Sequence, residues 1–197
     1  MSANSREAIL AAATRIAQAH GYGGLNFRDL AADVGIKAPS IYHHFPSKAD
    51  LGAAVAKRYW EDTAAGLDAM SREFADRPVR ALHEYPARIF RPSLKNGNRI
   101  CLCSFMSAEY DDLPTEVQKE VQAFADVNIA WLGKTLVAAD VVGRAESQAR
   151  ARSIFAAVSG AQLMARSRAD ISLFDALIDG YRAAGLLPDA RQGSRKK

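Results

Sequence analysis

Residues 34–51 read VGIKAPSIYHHFPSKADL and bring Lys37, Ser40, Tyr42, His43, His44 and Lys48 into one short stretch. Adjacent imidazoles can ligate a metal, exchange protons or face a polar surface. The metal reading is poor. Consecutive residues on a helix diverge by about 100°, a zinc site needs three or four converging ligands, and no other His or Cys stands at ligand spacing. Catalysis is equally poor, because the chain carries no nucleophile elbow, no metalloprotease helix motif and no phosphate loop. A purely structural, packed role suits one histidine but hardly the whole cluster, which leaves a polar contact surface. Ser, Tyr and His offer donors and acceptors to phosphates and base edges, and lysines suit phosphates. No catalytic residue, metal or cofactor is assigned.

The elements that must position this cluster are short. Ile9, Ala13, Ile16 and Ala17 fall at helical spacing, and the GYGG of 21–24 ends that helix in a turn. Asn26 and Asp29 have N-cap and N3 spacing, so a second helix starts near Phe27, and Gly35 stops it. Pro39 fits the first turn of a third helix over about 38–44. Ser47 and Asp50 form a capping-box spacing that opens a fourth through Leu51, Val55 and Tyr59. A helix–turn–helix presents its latter helix, which here is the third, to the major groove while the one before it braces it. Ile41 and Phe45 anchor it on Ile16, Leu30 and Val34. The groove side is left to Lys37, Ser40, Tyr42, His43 and His44. Arg28 in the bracing helix, and Lys48 with the N-terminus of the fourth helix, suit phosphate.

The whole chain is consistent with such a module. It has 197 residues, 49% hydrophobic, and a formal net charge of +4. That is enough for a sizeable core, and abundant alanine favours an all-helical fold. A basic balance permits a polyanionic partner without demanding one. Residues 1–50 hold Arg6, Arg15, Arg28, Lys37 and Lys48 against Glu7, Asp29, Asp33 and Asp50. No signal pattern opens the chain, and no apolar run reaches the roughly 18 residues a membrane span needs. A cytoplasmic protein that does not enter the membrane is expected.

FRDLAADVGIKAPSIYHHFPSKADL closely resembles the N-terminal DNA-binding domain of the TetR family of bacterial transcriptional regulators. The resemblance runs from about Arg6 to Tyr59. It rests on spacing: Gly at the turn, then Ser-Ile-Tyr-x-His-Phe, then Ser-Lys-x-Asp-Leu. It implies that Lys37, Ser40, Tyr42, His43 or His44 and Lys48 meet DNA, with Arg28 assisting. It also implies an all-α homodimer with a variable C-terminal ligand domain. The domains expected are a helix–turn–helix domain over 1–48, a ligand-binding and dimerisation domain over 49–187, and a basic tail over 188–197.

Beyond residue 70 the periodicity predicts helices near 78–92, 100–110, 115–139, 146–168 and 171–185, with Pro86 kinking or breaking the first. Ile154, Val158, Ala161, Ala165, Phe174, Leu177, Ile178 and Tyr181 lie on two apolar stripes. Periodicity cannot separate a dimer interface from intrachain core; the resemblance favours the interface. RICLCSFMSAEYDDLP, residues 99–114, holds Cys101 and Cys103, the chain's two cysteines. It resembles a segment at the start of a cavity-lining helix in one subset of these regulators, some of which sense electrophiles or oxidants through a cysteine. Arg99 and a helix start near Ile100 could lower a thiol pKa. Cys101, Phe105, Met106, Glu109, Phe124, Trp131 and Phe155 are the ligand-pocket candidates, a mostly apolar set with one acid.

The expected function is a ligand-responsive, homodimeric repressor on a palindromic double-stranded operator, released by a small, largely apolar or thiol-reactive effector. The rivals are a helical ligand-binding protein or enzyme that does not bind DNA, and an activator of the same fold.

Overall fold

The computed structural model describes residues 3–189. The expected tail lies, from residue 190 onward, outside the described residues. Ten α-helices and no strand occur among those described, so the fold is all-α as the composition predicts. The chain divides into two compact units, residues 1–62 with 101–124, and residues 63–100 with 125–197.

The first unit holds α1 (Ala3–His20), α2 (Phe27–Val34), α3 (Ala38–His44), the start of α4 (Lys48–Glu73), α7 (Leu102–Ser107), and the start of α8 (Thr115–Ala138). Helices of seven or eight residues do not hold themselves together in water. Caps and burial hold these. Asn26, in extended backbone, accepts from the N–H groups of Arg28 (2.8 Å) and Asp29 (3.4 Å). Gly35 closes α2 at φ 74°, a left-handed conformation that suits a residue without a Cβ. Pro39 sits in the first turn of α3. Ile41 is fully buried and Phe45 nearly so, alongside Ile9, Ala13, Ala17, Leu30 and Leu51. Ile16 and Val34, expected as anchors, are only half-buried, while Ala12, Ala13, Ala17 and Ala31 are buried. Ser47 Oγ accepts from the Asp50 N–H at 3.1 Å and donates to the Asp50 carboxylate at 2.7 Å, which opens α4.

The second unit holds the remainder of α4 and α8 with α5 (Pro78–Tyr85), α6 (Arg91–Lys95), α9 (Arg144–Ser167) and α10 (Ile171–Ala183). The stretch expected as one helix over 78–92 is interrupted at Pro86. Residues Pro86–Phe90 form a π-helical turn, because proline lacks the N–H that an α-turn would use and its ring crowds the preceding turn. The buried amide of Gln162 donates to the Phe90 carbonyl at 2.6 Å, reaching from α9 to the end of that turn. Tyr85, also buried, donates its hydroxyl to Asn128 Oδ1 at 2.9 Å and stacks on Trp131. Arg91 forks onto Asp175 at 2.7 and 2.8 Å, joining α6 to α10, and its guanidinium holds that carboxyl below the usual carboxylate range.

Candidate nucleic-acid interface

The anchors of α3 decide what its other face offers. With Ile41 and Phe45 turned into the core, Lys37, Tyr42 and His43 are exposed and Ser40 and His44 half-buried. Tyr42 is 55% exposed although it is a large aromatic. Its ring stands edge-on to Phe27 with centroids 4.7 Å apart, so the phenol is fixed by α2 while much of its surface stays in water. The imidazoles of His43 and His44 lie 5.4 Å apart. Among the described residues no group of three or more His, Cys, Asp or Glu could hold a metal ion. Arg28 is exposed in the first turn of α2. The face therefore presents hydroxyls, imidazoles and two cations, without a carboxylate among the named residues.

Lys48 differs from its neighbours. Its ammonium donates to the Gly23 carbonyl at 3.2 Å and lies 4.6 Å from the centroid of the Tyr22 ring. A phosphate would have to draw it off the GYGG turn. At the start of α4 the Asp50 N–H is already taken by Ser47 and the Asp50 carboxylate lies in the first turn, opposing an anion there.

The ligand-pocket candidates divide between the units. Cys101, Phe105, Met106, Glu109 and Phe124 belong to the first; Trp131 and Phe155 belong to the second. Glu109 is not a spare acid. Its two carboxylate oxygens accept the backbone N–H groups of Tyr22 (2.7 Å) and Gly23 (3.1 Å). Sequence reading saw the turn but not its partner, which lies more than 80 residues away and leaves no periodic trace. Met106 and Phe124 are core, Phe105 is half-buried, and Trp131 donates its indole N–H to Ser71 Oγ at 2.8 Å. Phe155 meets Phe90 edge-on.

The thiols also depart from expectation. α7 begins at Leu102, two residues past Ile100, and Cys101 is its N-cap. Its sulfur accepts from the Ser104 N–H at 3.2 Å and its thiol meets Ser104 Oγ at 2.8 Å. Burial dominates over those bonds and pushes the Cys101 pKa up to about 11, and burial raises Cys103 as well. Both are protonated and shielded at neutral pH, the opposite of a reactive cysteine.

The expected dimer stripes need a correction too. Ile154, Val158, Ala161, Ala165, Phe174 and Ile178 are buried within the single chain, and Leu177 and Tyr181 are half-buried. α9 and α10 pack on one another, so the six buried side chains are core of the second unit and have no surface left for a second copy. The large apolar side chains that α9 leaves in water are Leu163 (58% exposed) and Met164 (50%). They fell outside the helical stripe and so outside the sequence-based choice.

Residues 9–55 match the family model described as bacterial regulatory proteins, tetR family. Over 85 residues the chain is 35% identical to the HTH-type transcriptional repressor AcnR of Corynebacterium glutamicum. That match covers 43% of this chain and 44% of AcnR, less than half of either. A TetR transcriptional regulator from Legionella pneumophila is similar over nearly the whole chain. It superposes with a TM-score of 0.86 at 28% identity, covering 93% of this chain and 98% of that one. A TetR-family transcriptional regulator from Agrobacterium tumefaciens gives 0.84 at 26% identity, covering 92% and 97%.

Proposed function

We propose that this chain, which belongs to the tetR family of bacterial regulatory proteins, is a ligand-responsive repressor that binds a palindromic operator as a homodimer. The observation that carries the reading is the α3 surface: an anchored seven-residue helix with an exposed tyrosine braced edge-on by Phe27 and polar side chains around it. An apolar tyrosine face left in water costs hydration, and a groove floor of base edges and sugars can recover it. Residues 1–48 form the reading head. Lys37, Ser40, Tyr42 and one or both of His43 and His44 meet the major groove, and Arg28 and Lys48 meet flanking phosphates.

Two heads on one operator require a second copy. Leu163 and Met164 mark the face of α9 through which copies pair, within a dimerisation and effector domain over 49–187. Its effector is a small, largely apolar molecule; the protonated, buried thiols give a thiol-reactive effector no support. Such a molecule shifts operator affinity only by its differential affinity for the two conformations, typically about 1–3 kcal/mol of coupling. DNA is where the protein works, so its place is the cytoplasm, and no helix among the described residues is long and apolar enough to cross a membrane.

The test is titration of the full-length protein into its own upstream DNA at several salt concentrations. Counterion release makes affinity fall steeply with salt; a flat response removes DNA as the partner. Tyr42→Ala lowers operator affinity about tenfold, within the range that loss of one good groove contact produces. It leaves the dimer intact and lowers the melting temperature only by the lost Phe27 contact, and equal affinity at fixed salt would count against the groove assignment.

A further inference from the structure

The turn between α1 and α2, residues 21–26, carries more side-chain contacts than a short connection requires. It joins α1 to the α2–α3 pair, so its backbone sets the direction of those two helices. Glu109 holds the N–H groups of Tyr22 and Gly23 at 2.7 and 3.1 Å, one on each carboxylate oxygen. Lys48 donates to the Gly23 carbonyl of the same segment at 3.2 Å. The Tyr22 ring lies over Gly52, where an added Cβ would stand 2.7 Å from a ring carbon. At Gly21, which has φ +68°, a Cβ would fall 2.2 Å from the Glu109 carboxylate. Glycine at 21 is thus demanded twice, by the left-handed backbone and by the space the carboxylate fills.

We infer that Glu109 is a positioning residue for DNA recognition: its carboxylate fixes the α1–α2 turn, and through it the direction in which α3 is presented. The inference rests on the DNA-binding reading above. Glu109 lies just beyond α7, which packs on α1. A displacement of the 101–113 segment therefore acts directly on the turn. Where an operator phosphate recruits Lys48, that lysine leaves the Gly23 carbonyl, and the carboxylate keeps the turn in place. Without Glu109 the head samples more orientations, and operator affinity falls in proportion to the lost population of the competent one.

Folding is expected to survive the loss of this contact. Gly23 is exposed and Tyr22 half-buried, so water can satisfy both N–H groups after substitution. The experiment compares full-length wild type, Glu109→Ala, Glu109→Gln and Glu109→Asp. It measures affinity for the protein's own upstream DNA at several salt concentrations, melting temperature, and amide hydrogen exchange at Tyr22 and Gly23. Glu109→Ala weakens operator binding about tenfold, the scale of a lost charge-assisted bond. It leaves the salt slope unchanged because the phosphate contacts persist, and it speeds exchange at both amides. Glu109→Gln retains one acceptor and falls between; Glu109→Asp, one methylene short, behaves like the alanine variant.

Wild-type affinity in Glu109→Ala overturns the inference, as does a loss that Glu109→Gln and Glu109→Asp share equally. Slow exchange at Tyr22 and Gly23 in Glu109→Ala also overturns it. If wild type itself shows no operator binding, the function reading has failed, and the exchange measurement still decides whether the tether exists. Should Glu109→Ala not fold, Gly23→Ala serves instead. Its Cβ would stand 3.3 Å from the carboxylate oxygen, and a smaller loss of affinity in the same direction is expected; no loss counts against the tether.

Discussion

The reading head and the α9–α10 pair are built from different kinds of contact. In the head the decisive bonds within the helix–turn–helix are local: Asn26 with the two N–H groups that follow it, Gly35 at the end of its own helix, Ser47 with Asp50. In the second unit they span the chain. Arg91 reaches Asp175, Gln162 reaches the Phe90 carbonyl, and Tyr85 reaches Asn128. A local contact closes a short loop and can be replaced by water at its exposed end. The Gln162–Phe90 and Tyr85–Asn128 contacts are enclosed by core, so loss of either leaves a cavity or a desolvated polar group, whereas the Arg91–Asp175 pair is partly exposed. The exposed caps of the head are therefore expected to tolerate single changes better than the buried long-range contacts of the second unit do.

Four substitutions or conditions probe that contrast, beginning with the deepest. Phe174→Ala removes a nearly fully buried ring from α10 and is expected to cost about 3–5 kcal/mol of stability, read as a lower denaturation midpoint. A cost as small as that of a head substitution would break the contrast. Tyr85→Phe keeps the ring and deletes its hydroxyl donor to buried Asn128; roughly 1–3 kcal/mol is expected in the same assay. Asn26→Ala removes the N-cap of α2 and should cost about 1 kcal/mol, with a larger proportional effect on operator affinity than on melting.

The smallest effect is that of acid. Burial, then the Arg182 and Arg80 cations, hold the His83 imidazole below its usual pKa. A base with a depressed folded-state pKa contributes stability that is complete above its unfolded value, near 6.5, and is lost as pH falls through the folded value. Asp175, held low first by its bond to Arg91, acts in the same direction at lower pH. Stability should thus decline on the acid side, and His83→Gln should flatten the part that begins near pH 6.5. An unchanged profile in that variant would assign the decline elsewhere.

The short α3 helix, its apolar anchors and the polar side chains on its other face were legible because each signal sits within a few residues of its consequence. A proline opens a turn, a glycine permits a left-handed φ, and an asparagine caps the N–H groups two and three residues on. The same local grammar marked the break at Pro86. It failed wherever the partner was remote. Glu109 looked like a lone acid in an apolar segment until the fold brought it onto the GYGG turn. Cys101 and Cys103 looked exposed to an arginine and a helix start, until burial outweighed both.

The amino-acid sequence by itself determined the all-helical class, the helix–turn–helix with its caps, and which face of α3 is apolar, because propensity, capping and periodicity act within one or two turns of chain. Only the tertiary structure decided which apolar stripe is spent inside one chain, with Leu163 and Met164 rather than Ile154 and Val158 left in water. It also decided that Glu109 serves a backbone turn and that the thiols are shut away. Those outcomes depend on which segments meet, and helical periodicity reports that a face is apolar without saying what covers it.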